Sequence, residues 1–327
     1  MIELADFLEL DLPALATGTL AALACGLLGN FLLLQRRSLL GDAVSHVVLP
    51  GIVLAFLVTG STSTWPMMLG AGAAAVASVF LIDLVQRAAR IEAGAAMGVV
   101  LTSLFALGVV LLEQSGARAV HLDVEHALMG SLEGIVWLGA RDFSALVDPD
   151  RLATLPEPLL RLAVVTTMVA LLLLVLRKEL TIASFDPGYA TSLGIPARAI
   201  GLVLLVASAV AAVAAFAAVG AILTIAMFVC PAATARMLTD RLGRQIALSA
   251  LAALLAGTLG YALAAWAPLL FGSERGLGAA GMIAVVAGCL QGLSILLAPR
   301  YGALARARAR SRGRRSGEGA TARGGVP

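Results

Sequence analysis

Charge is what this sequence has least of. Charged residues make up 13% of its 327 positions and aromatic residues 5%, against 60% hydrophobic residues. A soluble domain carries about 25% charged and about 45–50% apolar residues, so the chain cannot clothe a water-facing surface. Lysine is almost missing: Lys178 stands alone, between Arg177 and Glu179. A phosphate-binding loop needs Gly-Lys followed by Ser or Thr, which excludes a Walker-type nucleotide site within the chain. Cysteine is scarce too. Cys25, Cys230 and Cys289 are widely separated, each inside an apolar run. There is no disulfide framework and no CxxC motif, and the three read as small packing residues. Positive charge is absent from the beginning, MIELADFLELDLP, which carries four acidic residues. A cleavable secretory signal opens with positive charge and closes on a small-residue cleavage site. The first helix is therefore expected to stay as a membrane span.

Long apolar runs fill most of the remainder. They fall at about 14–35, 43–60, 67–86, 94–113, 158–176, 198–217, 219–236, 245–270 and 278–298, and the mean hydropathy is +0.97. About 20 consecutive apolar residues cross the hydrocarbon core, so each run reads as a transmembrane helix. The stretch 198–236 is twice that length, with Arg198 and Arg236 near its ends, and Ala218-Val219-Gly220 offers small residues for a tight reversal. The expected fold class is all-α: a polytopic membrane protein with about nine transmembrane helices, forming one domain over residues 1–300.

Lys and Arg collect on the cytoplasmic side of membrane proteins. With the N-terminus outside, the cytoplasmic segments hold 18 of the 23 positive residues, including the eight arginines from Arg300 to Arg323. The expectation is N-terminus outside, C-terminus cytoplasmic. Trp65, Trp266 and Tyr301 fall at predicted span ends, where amphipathic rings prefer the headgroup layer. Residues 114–157 read as a polar outer loop. The basic segment 301–327 lacks the apolar residues needed to fold, and is expected to be disordered and able to touch anionic membrane lipid.

Four places carry chemistry. In Gly41-Asp42-Ala43-Val44-Ser45-His46, Asp42 and His46 are four apart and share one helical face. Ionisable residues at membrane depth are costly and mark pathways or sites, and an oxygen with an imidazole nitrogen suits a divalent transition metal. The plainer alternative is an N-cap aspartate beside a hydrogen-bonded histidine. In Asp186-Pro187-Gly188-Tyr189-Ala190-Thr191-Ser192-Leu193-Gly194, Asp186 is a good N-cap, Pro187 suits the first helical position, and Gly194 before Pro196 is a stop signal. The resulting helix of about seven residues is too short to stand alone and needs a partner surface. Pro231, inside the seventh run, is expected to kink its helix. In the outer loop, His121, Asp123, Glu125 and His126 place four potential ligands within six residues, a candidate capture site for metal.

These segments are familiar together. LLLQRRSLLGDAVSHVVLPGIVLAF at 32–56, SFDPGYATSLGIP at 184–196 and VGAILTIAMFVCPAATARMLTDRL at 219–242 resemble, in order and spacing, the permeases of the manganese/zinc/iron ATP-binding-cassette importer family. The resemblance reaches nearly the whole chain, to about residue 298. It implies a transport subunit rather than an enzyme, placed as a multi-pass protein in the bacterial inner membrane. It also implies a second permease subunit, homo- or heterodimeric, a cytoplasmic ATP-binding subunit that supplies hydrolysis, and an extracytoplasmic metal-binding protein. No permanently bound cofactor and no nucleic-acid partner are expected; the metal ion is cargo. Asp42 and His46 match the family positions implicated in passing the metal. Asp186, Pro187, Gly188, Tyr189, Ala190, Leu193 and Gly194, in the loop 178–197, match its coupling helix. The SHxVLPG form leans toward manganese. A proton-coupled secondary carrier could also use Asp42 and His46 but leaves the 186–194 helix without a role, and a structural scaffold leaves the charge pair unexplained.

Overall fold

The computed structural model of the protein describes residues 7–37, 39–61, 63–114, 132–138, 142, 145, 147–270, 277–298 and 302. Ten helices organise it: α1 Leu12–Leu34, α2 Leu40–Thr59, α3 Thr64–Ala88, α4 Ala93–Gln114, α5 Glu157–Val175, α6 Arg177–Phe185, α7 Pro187–Ser192, α8 Ala197–Leu238, α9 Leu242–Leu270 and α10 Ala279–Leu297. Among the described residues, eight helices are long and apolar enough to cross a membrane. Each expected run maps onto one of these helices, to within a few residues at its ends. The chain is a multi-pass membrane protein.

The exception in length is α8, with 42 residues. A straight helix of that length would reach about 63 Å, twice the hydrocarbon thickness. Its two ends nevertheless lie at the same end of the bundle. At its start, Arg198 Nη2 meets Asp83 Oδ2 at 3.2 Å, and Ala197 and Arg198 share a cavity wall with Leu34, at the foot of α1. At its finish, Arg236 Nη1 approaches Gln245 Oε1 at 3.5 Å, and Gln245 donates to Asn30, in the last two turns of α1, at 3.1 Å. The chain therefore doubles back inside α8, and the place is Gly220, whose φ of 80° and ψ of 172° leave the helical region. That backbone conformation is essentially reserved for glycine. The small residues around 218–220 thus make the reversal the sequence called for, giving two arms, 197–219 and 221–238. The departure from helical backbone angles within α8 falls there, and Pro231 lies inside the second arm.

Helix α8 forms the centre, packing on α1, α2, α3, α5, α9 and α10. Its first arm buries a run of alanines, among them Ala209, Ala211, Ala212, Ala214, Ala215 and Ala218. Small side chains let helix backbones approach closely where no water drives them together. The same device joins α2 to α3: a Cβ on either Gly51 or Gly70 would collide with the other's carbonyl oxygen. Helix α9 runs antiparallel to α1, since Gln245 meets Asn30 near one end while Tyr261 donates to Asp11 Oδ1 at 2.8 Å near the other.

The two ends differ in charge. One carries Arg36, Arg37, Asp83, Arg87 and Arg198. The opposite end carries Asp11 and the Glu133 carboxylate, which receives the amide of Ala279 at the start of α10. There the described part of the 114–157 segment is not a wholly polar loop. Trp137 is buried with Leu8 and Ala145 under Phe7, Leu12 and Leu155, and its amide donates to the Glu9 carbonyl at 2.8 Å. Its indole nitrogen donates to the Arg151 carbonyl and to Thr154 Oγ1. This apolar plug caps the bundle, and a lone tryptophan in a polar stretch was its signal.

Candidate functional site

Asp42 lies in the first turn of α2, and the N-cap position belongs to Leu39, which makes no side-chain cap. Asp42 is thus inside the helix, one turn before His46. Asp42 Oδ1 and His46 Nε2 are 3.5 Å apart, and their side chains are 39% and 42% exposed. Two donors bound to one tetrahedral ion at about 2.0–2.2 Å each stand about 3.4 Å from one another, so the pair needs almost no rearrangement to grip a single cation. The helix fixes this spacing, because residues four apart are neighbours on its surface. Two packing contacts set the helix itself. The His46 ring makes an edge-on contact with Phe105 of α4, centroids 5.6 Å apart and planes at 83°, and the Phe228 ring of the second α8 arm lies against Gly41.

Among the described residues, no group of three or more His, Cys, Asp or Glu side chains is arranged to hold a metal ion. Within those residues the pair contributes one oxygen and one nitrogen, on side chains that are partly exposed. His121, Asp123, Glu125 and His126 lie outside the described residues. All three cysteines are unbridged; Cys25 is buried and Cys230 half-buried, as expected of packing residues, whereas Cys289 is exposed.

The second candidate is α7. Asp186 accepts the Tyr189 amide at 2.9 Å, Pro187 occupies the first turn, and the Asp186 backbone is extended. At the other end the Ile195 amide returns to the Ala190 carbonyl at 3.0 Å, and Gly194 takes a φ of 79°. That is the C-terminal stop read from the sequence, with glycine where the left-handed turn requires it. Ala190 is fully buried and anchors α7, whereas Phe185, Tyr189 and Leu193 are each more than half exposed. Phe185 ends α6, Tyr189 lies in α7 and Leu193 follows its last turn, so three exposed apolar side chains surround the short capped helix. Helix α6 before it, Arg177–Phe185, was not foreseen, because its charged start breaks the apolar pattern.

Two polar clusters also escaped the sequence reading. Asn30, Gln245 and Ser249 are fully buried. The Asn30 amide donates to the Gly26 carbonyl at 2.9 Å, which also receives Ser249 Oγ at 3.1 Å, and Gln245 bridges Asn30 to Arg236. This chain of bonds ties the second α8 arm to α1 and α9. The other cluster centres on Asp83, which pairs with Arg87 at 2.9 Å and with Arg198 at 3.2 Å. A single acid near the end of an apolar run, with arginine four residues on, was its signal.

Known proteins place the whole chain in context. The ABC 3 transport family matches residues 8–143 and 150–291. The manganese transport system membrane protein MntD of Bacillus subtilis (strain 168) is 39% identical over 290 residues, covering 89% of this chain and 92% of that protein. The zinc transport system membrane protein TroD of Treponema pallidum (strain Nichols) is 35% identical over 285 residues, covering 87% and 73%. Among solved structures, PsaBC from Streptococcus pneumoniae in complex with Fab is similar with a TM-score of 0.67 at 27% identity, covering 89% of this chain and 92% of that one.

Proposed function

Because the chain belongs to the ABC 3 transport family, we propose that it is the membrane permease of an ATP-driven importer of a divalent transition metal, with manganese as the cargo. The observation that carries this reading is the Asp42–His46 pair, 3.5 Å apart and partly exposed on α2. An oxygen and a nitrogen without thiolate suit manganese better than a soft metal, and the relative MntD is named for manganese transport. A conduit must bind loosely enough to let go, and two protein ligands per chain are few.

The permease works as a pair. Zinc takes four ligands and manganese a larger shell that includes water, so a two-fold axis facing two α2 helices completes the site with two oxygens and two nitrogens. The arginine-bearing end is cytoplasmic and the Trp137 end is outside, as the distribution of Lys and Arg favours. A separate ATP-binding subunit docks on α7 and the exposed side chains of Phe185, Tyr189 and Leu193 around it, since the helix is short and leaves them uncovered. A metal-binding protein delivers the ion to the outer end. The test is the metal content of cells with and without the gene, measured by mass spectrometry. Manganese alone should fall on deletion. A fall in zinc with manganese unchanged overturns the cargo, and no change in either overturns the importer.

A further inference from the structure

A cavity of about 540 Å³ opens at the arginine-bearing end, apart from the Asp42–His46 pair. The α1–α2 turn gives it Arg36 and Arg37, α3 gives Asp83 and Arg87, α6 gives Ser184, α7 gives Pro187 and Thr191, and the start of α8 gives Arg198. Among the described residues on its wall, four guanidinium groups face one carboxylate. Asp83 is already shared: Arg87 holds one of its oxygens through two nitrogens, at 2.9 and 3.1 Å, and Arg198 holds the other. Arg37 is half-buried, and its recorded partner is a neutral amide oxygen, Gln86 Oε1 at 3.1 Å. Burial lowers its affinity for its proton; the nearby Arg87 works the same way, while Asp83 opposes both. Arg36, with a φ of 57°, closes α1 in a left-handed C-terminal turn, the Arg37 amide returning to the Leu32 carbonyl at 2.8 Å.

Arg37 is desolvated and must share the nearby Asp83 charge with Arg87 and Arg198, and an anion entering the cavity would add the negative charge that guanidinium groups sharing one acid lack. Guanidinium forks match the oxygens of a phosphate, often two at a time. Helix α8 begins on the wall, which adds the positive end of its dipole. We propose that this cavity is a binding site for a phosphate-bearing anion, filled in the membrane by the headgroup of an anionic phospholipid. Basic pockets between transmembrane helices take such headgroups on the cytoplasmic side, and the exposed side chains of Phe80 and Leu84 on α3, adjoining Asp83, offer apolar surface for acyl chains. The leaflet named here rests on the orientation proposed above; the site itself does not. A headgroup seated there bridges the turn leading to Asp42, the end of α3, and the elements flanking α7.

Native mass spectrometry of the full-length permease, titrated separately with phosphatidylglycerol, phosphatidylcholine and inorganic phosphate, tests this without any transport assay. Phosphatidylglycerol should bind saturably and phosphatidylcholine should not. Arg36→Gln with Arg37→Gln should weaken phosphatidylglycerol about tenfold, which is about 1.4 kcal/mol. Arg36→Lys with Arg37→Lys should lose less, and Arg90→Gln, at the same end but off the cavity wall, nothing. If the Gln pair does not fold, Arg198→Gln carries the same comparison. Equal phosphatidylglycerol binding in wild type and variants overturns the site. Saturable inorganic phosphate with no phosphatidylglycerol binding overturns the lipid assignment in favour of a soluble anion. Unchanged lipid binding with lost ATPase co-purification shows that the arginines meet an acidic protein segment instead.

Discussion

Asp42 and His46 face each other across one turn of α2, oxygen to nitrogen at 3.5 Å, with neither residue at the helix cap. Asparagine and aspartate are nearly interchangeable at an N-cap, so their exchange separates capping from ligation. Asp42→Asn and His46→Ala should each abolish radioactive manganese uptake while insertion and ATPase association persist. Wild-type uptake by Asp42→Asn would sink the ligand role.

The orientation can be read by chemistry from outside the cell. Asp150→Cys and Ser192→Cys both introduce a thiol at an exposed position, at opposite ends of the bundle. An impermeant thiol reagent added to intact cells should label the first and spare the second. The reverse pattern would invert the topology.

For α7, Asp186→Ala removes the bond to the Tyr189 amide, at a cost of about 0.5–2 kcal/mol for a helix cap. Combined with Ala190→Pro, which breaks the helix, it should leave the permease inserted but unable to retain its ATPase subunit. Unaltered co-purification and uptake in the double variant would leave α7 with no coupling role.

Gly220→Ala should lower the thermal midpoint in detergent by several degrees, because any side chain at that φ and ψ carries strain of about 1–3 kcal/mol. Pro231→Ala, in a stretch that is already helical, should change it far less. Equal midpoints for Gly220→Ala and wild type would contradict the hairpin geometry.

The bundle was legible because its elements are long and uniform: runs of about 20 apolar residues have few other uses. Even the reversal near Gly220 showed, since a run of twice that length with arginine near both ends cannot be one span. The short α7 was equally plain, because Asp186, Pro187 and Gly194 each fit only one place in a helix. What stayed hidden are contacts between distant segments. Asn30 gives no hint that Gln245 will meet it, and Asp83 none that Arg198 will. Trp137 was lost in a stretch judged by its polarity, although its ring needed a buried place. Asp42 and His46 were found by spacing and by resemblance, but their 3.5 Å separation belongs to the fold.

The hairpin inside α8 has a mechanical consequence. Helix α7 passes through the short link 193–196 straight into the first arm, so a push on the Tyr189 face is delivered to the foot of α8. The arm is close-packed along its alanines. At Gly220 the chain turns back into the second arm, whose Phe228 ring lies against Gly41, next to Asp42. One covalent lever, pivoted on a single glycine, thus joins the surface where force would be applied to the residue that would feel it.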